Sequence, residues 1–120
     1  MHCKTLMEEC WMPRDHKCVS SIRRFIRDLT TSEIAELLVS ELTTNALLHT
    51  STQAIRITAT RDDPFLTVEV HDTSDTIPKI TPADPSATAG RGLAIVQSLA
   101  HSWGWRPTPT GKAVWFRLLT

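Results

Sequence analysis

Glu41, Asn45 and His49 stand at i, i+4 and i+8 within E-L-T-T-N-A-L-L-H. On a helix that spacing stacks three side chains in one stripe. The stripe continues the apolar arc of Ile34, Leu38 and Leu42 rather than opposing it. Burying an ionised Glu without a partner is costly, so these polar groups should meet water, a metal or a ligand in a pocket. The plainer alternative is a solvated edge where the helix leaves the core. A second pattern is Gly90-Arg91-Gly92-Leu93, which opens a helix after a proline-rich stretch. Glycines permit close backbone approach, and the first N–H groups of a helix are unpaired at the positive end of its dipole. Together with Arg91 they suit phosphate. By itself the pattern equally describes a loop-to-helix junction. It is neither a Walker A loop nor a dinucleotide fingerprint, because no G-K-[ST] follows and no βαβ unit surrounds it. A third pattern is His71-Asp72-Thr73-Ser74-Asp75. If Leu66, Val68 and Val70 face the core, alternation sends Asp72 there too. A carboxylate at the inner end of a strand can accept from an amino group; otherwise it closes an Asx-type turn.

These groups need elements to hold them. Thr5 to Met12 reads as a strand. Asp15 can cap a helix over Cys18–Asp28, with Val19, Ile22, Phe25, Ile26 and Leu29 at helical spacing. Thr30-Thr31-Ser32 breaks the chain and caps a second helix from about Glu33 to His49. Ala54–Thr60 and Phe65–Val70 alternate as strands around the turn Asp62-Asp63-Pro64. Thr73–Ala89 carries Pro78, Pro82 and Pro85 and reads as a long loop over a binding site. Leu93 to Trp103 has helical spacing. Trp105–Thr108 and Ala113–Leu119 close the chain as strands around Thr110-Gly111. The order β-α-α-β-β-loop-α-β-β predicts an α+β two-layer sandwich with helices on one face of an antiparallel-rich sheet.

At 120 residues, with 41% hydrophobic and 22% charged residues, the chain has the size and composition of one domain. Thirteen basic residues balance thirteen acidic ones, which argues against direct nucleic-acid binding. No apolar run reaches the roughly 20 residues of a membrane span, and the N-terminus has no secretory h-region. Three cysteines point to reduced thiols in a cytoplasmic protein. His2, Cys3, Cys10, His16 and Cys18 match no paired zinc spacing, and no G-x-S-x-G elbow supports a hydrolase built on His71 and Asp72.

Taken in order, the patterns resemble the histidine kinase-like ATPase (GHKL) superfamily with its Bergerat fold. They resemble more closely the small anti-sigma-factor serine/threonine kinases. E-L-T-T-N-A-L-L-H at 41–49 is similar to the N box, H-D-T-S-D at 71–75 to the first glycine box and G-R-G-L at 90–93 to the second. W-M-P-R-D at 11–15 and R-R-F-I-R at 23–27 are similar to the family opening, and G-K-A-V-W-F-R-L at 111–118 to its closing strand. The resemblance implies a mixed, mostly antiparallel sheet with three helices on one face, forming one ATP-binding domain over residues 1–120. It implies Glu41 as general base, Asn45 as the Mg²⁺ ligand and His49 near the phosphates or the lid. Asp72 would accept from the adenine amino group, with Ser74 following it. Gly90, Arg91, Gly92 and Leu93 would hold the phosphates, and 73–89 would be the lid.

The implied activity is transfer of the ATP γ-phosphate to a serine or threonine of a regulatory protein. The implied partners are that antagonist and a sigma factor, and the implied assembly is a homodimer. The alternative is a partner-switching module that transfers no phosphate. Ser74 and Thr76 replace both glycines of the usual D-x-G-x-G. Ala113 replaces a closing-strand Thr that binds adenine through water. Asp28–Ser32 joins the first two helices tightly enough to suggest strain or a displaced first helix.

Overall fold

The computed structural model describes residues 6–78 and 92–119. Five strands and three helices follow the expected order: β1 (Leu6–Pro13), α1 (Cys18–Arg27), α2 (Glu33–His49), β2 (Ala54–Asp62), β3 (Phe65–Asp72), α3 (Gly92–Leu99), β4 (Ser102–Thr108) and β5 (Gly111–Leu119). The sheet order is β1-β2-β3-β5-β4, and each of these pairings is antiparallel rather than mixed. Alternation then sorts the side chains. Ile55 and Ile57 of β2, Val68 and Val70 of β3, and Val114 and Phe116 of β5 are buried under the helices. Their neighbours on each strand form the opposite, helix-free face. The result is the expected two-layer α+β sandwich.

Helix α2 crosses the middle of the sheet, touching β3 and β5. Its start is set by Ser32, whose Oγ accepts from the Ala35 N–H at 3.1 Å, with Glu33 and Glu36 favourably placed in the first turn. Its buried arc is Ala35, Leu38, Val39, Leu42 and Ala46. Ile34, expected in that arc, is 43% exposed. Ala35, fully buried, takes the place in the arc expected for Ile34.

The far end of α2 is held by Arg14, just after β1. Its guanidinium donates to Leu47 O at 2.6 and 3.0 Å and to Thr50 O at 2.8 Å. These are carbonyls near the helix terminus, some left without intrahelical partners, and the cation also suits the negative end of the dipole.

Two boundaries differ from expectation. The residue capping α1 is Lys17, with no side-chain cap; Asp15 Oδ1 instead accepts from the Lys17 N–H at 2.7 Å, closing a turn just before the helix. Helix α3 ends at Leu99 rather than continuing to Trp103, which lies on β4 opposite Phe116. Trp103 reaches the core from a strand, so inward-facing spacing could not mark the end of the helix.

The tight α1–α2 connection is braced, not strained. Thr30 Oγ1 accepts from the Ser32 N–H, Arg61 donates to Leu29 O at 2.7 Å, and among the described residues no non-glycine residue has a positive φ.

Candidate functional site

A cavity of about 330 Å³ opens between α2, the ends of β3 and β5, and the start of α3. Its volume lies within the range of small-molecule sites. Helix α2 contributes Leu42, Asn45, Ala46 and His49, with Thr50 just beyond it. The sheet contributes Val70, Asp72, Lys112 and Val114. Leu93 closes one side from the first turn of α3, and Thr76, Ile77 and Pro78 cover another from the segment after β3. The walls are chiefly apolar, with a few convergent polar groups.

Expected site residues from separate parts of the chain meet here. Asn45, His49, Asp72 and Leu93 all line the cavity. Glu41 lies one turn before Asn45 and is half-buried, but it is not on the cavity wall. Ser74 stands beside the site: its N–H donates to Asp72 Oδ1 at 2.8 Å, and its Oγ accepts from the Thr76 N–H at 3.1 Å. Asp72 is thus both inward-facing and the anchor of an Asx-type turn. Gly92 begins α3. Gly90 and Arg91 lie outside the described residues, as does the part of the 73–89 loop beyond Pro78.

Asp72 has a partner that the motifs did not indicate. Lys112 faces it across the β3–β5 ladder and donates from Nζ to Asp72 Oδ1 at 3.0 Å. Their side chains are only 7% and 2% exposed, respectively, so the pair is cut off from bulk water. Both described bonds to this carboxylate land on Oδ1. Among the described residues Oδ2 receives none, which leaves an acceptor on the cavity floor.

Alternation was enough to find Lys112. Stepping back from the buried Leu118, Phe116 and Val114 by twos reaches position 112. Gly111 lets the strands close up: a Cβ there would fall 2.1 Å from Asp72 O and 2.6 Å from Thr73 Cα.

The same register corrects the reading of Ala113. Its cross-strand neighbours are His71 and Arg106, and it does not line the cavity. A side chain at 113 therefore points away from the cavity. Position 112 is the one that faces the floor.

His71 likewise lies on the helix-free face, away from Asp72, so the two cannot share a hydrolytic triad. There, Arg106 donates to both oxygens of Glu69 at 2.9 and 3.1 Å, and His71 Nε2 sits 3.6 Å from Glu69 Oε1. The His71 ring and the Arg106 guanidinium hold the Glu69 carboxyl down to about 2, against the opposing effect of partial burial. At 3.6 Å the His71 contact is too long for a hydrogen bond and counts as an ion pair only with a protonated ring, so Arg106 is the firmer partner.

Asn45 offers a hard amide oxygen at the cavity edge, the donor type Mg²⁺ takes. Among the described residues no three His, Cys, Asp or Glu side chains gather to hold a metal by themselves. A Mg²⁺ ion at Asn45 would therefore draw its other oxygens from a ligand and water, its usual arrangement in nucleotide sites.

The sequence model of the histidine kinase-like ATPase domain matches residues 13–118. No curated protein matches the chain. The matched span runs from the last residue of β1 to the penultimate residue of β5 and takes in every element around the cavity. The sheet, the helix stripe and the inward carboxylate are thus parts of one recognised whole, and the chain belongs to the family of histidine kinase-like ATPase domains.

Proposed function

We propose that the cavity binds ATP and that the protein is a serine/threonine kinase of the anti-sigma-factor type. The observation that carries the nucleotide reading is the buried carboxylate of Asp72, aimed into a cavity whose opposite wall presents Asn45. The adenine amino group would donate to Asp72 Oδ2, while Leu42, Ala46, Val70 and Leu93 exclude water from the base. The phosphates would then extend towards Asn45 and His49. Backbone N–H groups of Gly90, Arg91, Gly92 and Leu93 would hold them, with residues 73–89 as the lid. Bound Mg²⁺ supplies charge neutralisation on the phosphate oxygens, and the Asn45 amide oxygen would be its protein ligand.

Glu41 would accept the proton of the attacking hydroxyl. The hydroxyl oxygen bonds to the γ-phosphorus, the bond to the β–γ bridging oxygen breaks, and ADP leaves. The phosphoacceptor would be a regulatory protein that opposes binding of a sigma factor. This reading takes residues 1–120 as one cytoplasmic domain that pairs as a homodimer.

A second reading keeps ATP and drops the transfer, making the protein a partner switch. It is favoured by Glu41 standing off the cavity wall. Incubation with labelled ATP, Mg²⁺ and a candidate anti-anti-sigma antagonist separates the two. The kinase reading expects a labelled antagonist and a loss of at least roughly a hundredfold with Glu41→Ala. No transfer by wild type leaves the switch, and equal transfer by the variant overturns Glu41 as the general base.

A further inference from the structure

We propose that Lys112 reads the nucleobase directly, donating a hydrogen bond to a ring nitrogen beside the amino group that Asp72 accepts from. This rests on the cavity being an adenine-nucleotide site. A lone carboxylate on a cavity floor can recognise only the amino group. Here the floor carries two groups side by side, Asp72 and Lys112, both lining the cavity and both almost closed to solvent.

An ammonium has three N–H donors. Among the described residues Lys112 uses one, towards Asp72 Oδ1, at 3.0 Å. Oδ2 receives none. The floor therefore offers an acceptor next to a charged donor. Adenine presents the complement on either side of its amino group: an N–H donor with a ring acceptor, N1 or N7, adjacent. The match is a two-point contact in which neither buried charge loses its existing partner.

The backbone holds the two groups in place. Asp72 and Lys112 are direct cross-strand partners in the β3–β5 ladder. Gly111 permits the close approach of the strands, and the Ser74 N–H fixes Asp72 Oδ1 from the other side. Lys112 thus has little freedom to swing out of the site. A residue whose only task was to neutralise Asp72 would hold the same position, so the test must probe the base itself.

The experiment measures dissociation constants of the wild-type protein for Mg²⁺ complexes of ATP, 1-deaza-ATP, 7-deaza-ATP and purine riboside triphosphate, which lacks the amino group. One of the two deaza analogues is expected to bind roughly tenfold or more weaker than ATP, because a charge-assisted bond is lost. In Lys112→Met that penalty should shrink to within about threefold. If this variant does not fold, the same comparison is made in the double variant Lys112→Met with Asp72→Asn, which removes both buried charges together and should show the same shrunken penalty. Equal binding of ATP and both deaza analogues, with purine riboside triphosphate weakened, overturns the role of Lys112 and leaves the adenine site standing. A deaza penalty that persists in Lys112→Met assigns the ring nitrogen to another group and also overturns it. No binding of ATP in any form overturns both readings.

Discussion

Removing Lys112 alone should be one of the most damaging single changes in the protein, and removing its partner as well should largely repair the damage. At 3.0 Å and an effective dielectric near 20, the Coulomb attraction of the Lys112–Asp72 pair is about 5–6 kcal/mol. Desolvating two groups that are only 7% and 2% exposed opposes most of that gain, so the intact pair adds little net stability. The single variant is different. Lys112→Met leaves a buried carboxylate with the Ser74 N–H as its remaining described partner. Breaking a buried pair in this way costs about 3–5 kcal/mol. Against a typical total of about 5–15 kcal/mol, that is a large share. The double variant Lys112→Met with Asp72→Asn should recover to within about 1 kcal/mol of wild type. Urea unfolding followed by tryptophan fluorescence is the assay, with Trp115 on β5 and Trp103 and Trp105 on β4 close to the perturbation. The midpoint should fall by roughly 1–3 M for the single variant. A loss below about 1 kcal/mol for Lys112→Met, or a double variant no better than the single, would show that the pair is not a buried, mutually dependent unit.

Gly111→Ala places a Cβ 2.1 Å from Asp72 O, so β3 and β5 must part; a loss of at least about 1–3 kcal/mol is expected in the same urea assay, and a neutral result would contradict the close approach. Glu69 gives a pH signature. Its carboxyl is depressed from an ordinary 4.5 to about 2, so its stabilisation is complete above pH 4.5 and is lost as pH falls through about 2. Between those values wild type should lose stability more steeply than Glu69→Gln in a thermal series; parallel curves would remove the Arg106 and His71 contacts as the cause. Arg14→Ala frees the Leu47 and Thr50 carbonyls near the end of α2, and amide hydrogen exchange should speed up over residues 46–50 while staying unchanged in β3. Unchanged exchange at both places would show that Arg14 does not hold that helix end.

Much of the fold was legible because each element carries its own period. Ala54–Thr60 and Phe65–Val70 alternate cleanly, and both fall inside the observed strands. Asp72 was legible for the same reason, since alternation continues past the last apolar residue of β3. Asn45 and His49 were legible from helical spacing, even though the apolar arc beside them was placed one residue off at Ile34. What escaped was long-range pairing. Arg14 bonds to Leu47 and Thr50 across more than thirty residues, and nothing local in the sequence marks that contact. Lys112 escaped because a lysine after a turn glycine reads as a solvated residue; only the β5 phase, counted back from Leu118, turns it inward. Ala113 was misread for the matching reason, since a motif position says nothing of which face of a strand it occupies until the register is known.

The nucleotide site itself is tested most directly by unfolding the wild-type protein thermally across a series of Mg-ATP concentrations. A ligand that binds only the folded state must stabilise it, by about 2.7 kcal/mol at a hundred times its dissociation constant. For a domain of this size that corresponds to a rise in Tm of roughly 8–15 °C, growing with the logarithm of ATP concentration. A flat Tm up to several millimolar Mg-ATP, with no heat of binding in calorimetry, would contradict a nucleotide site between Asn45 and Asp72.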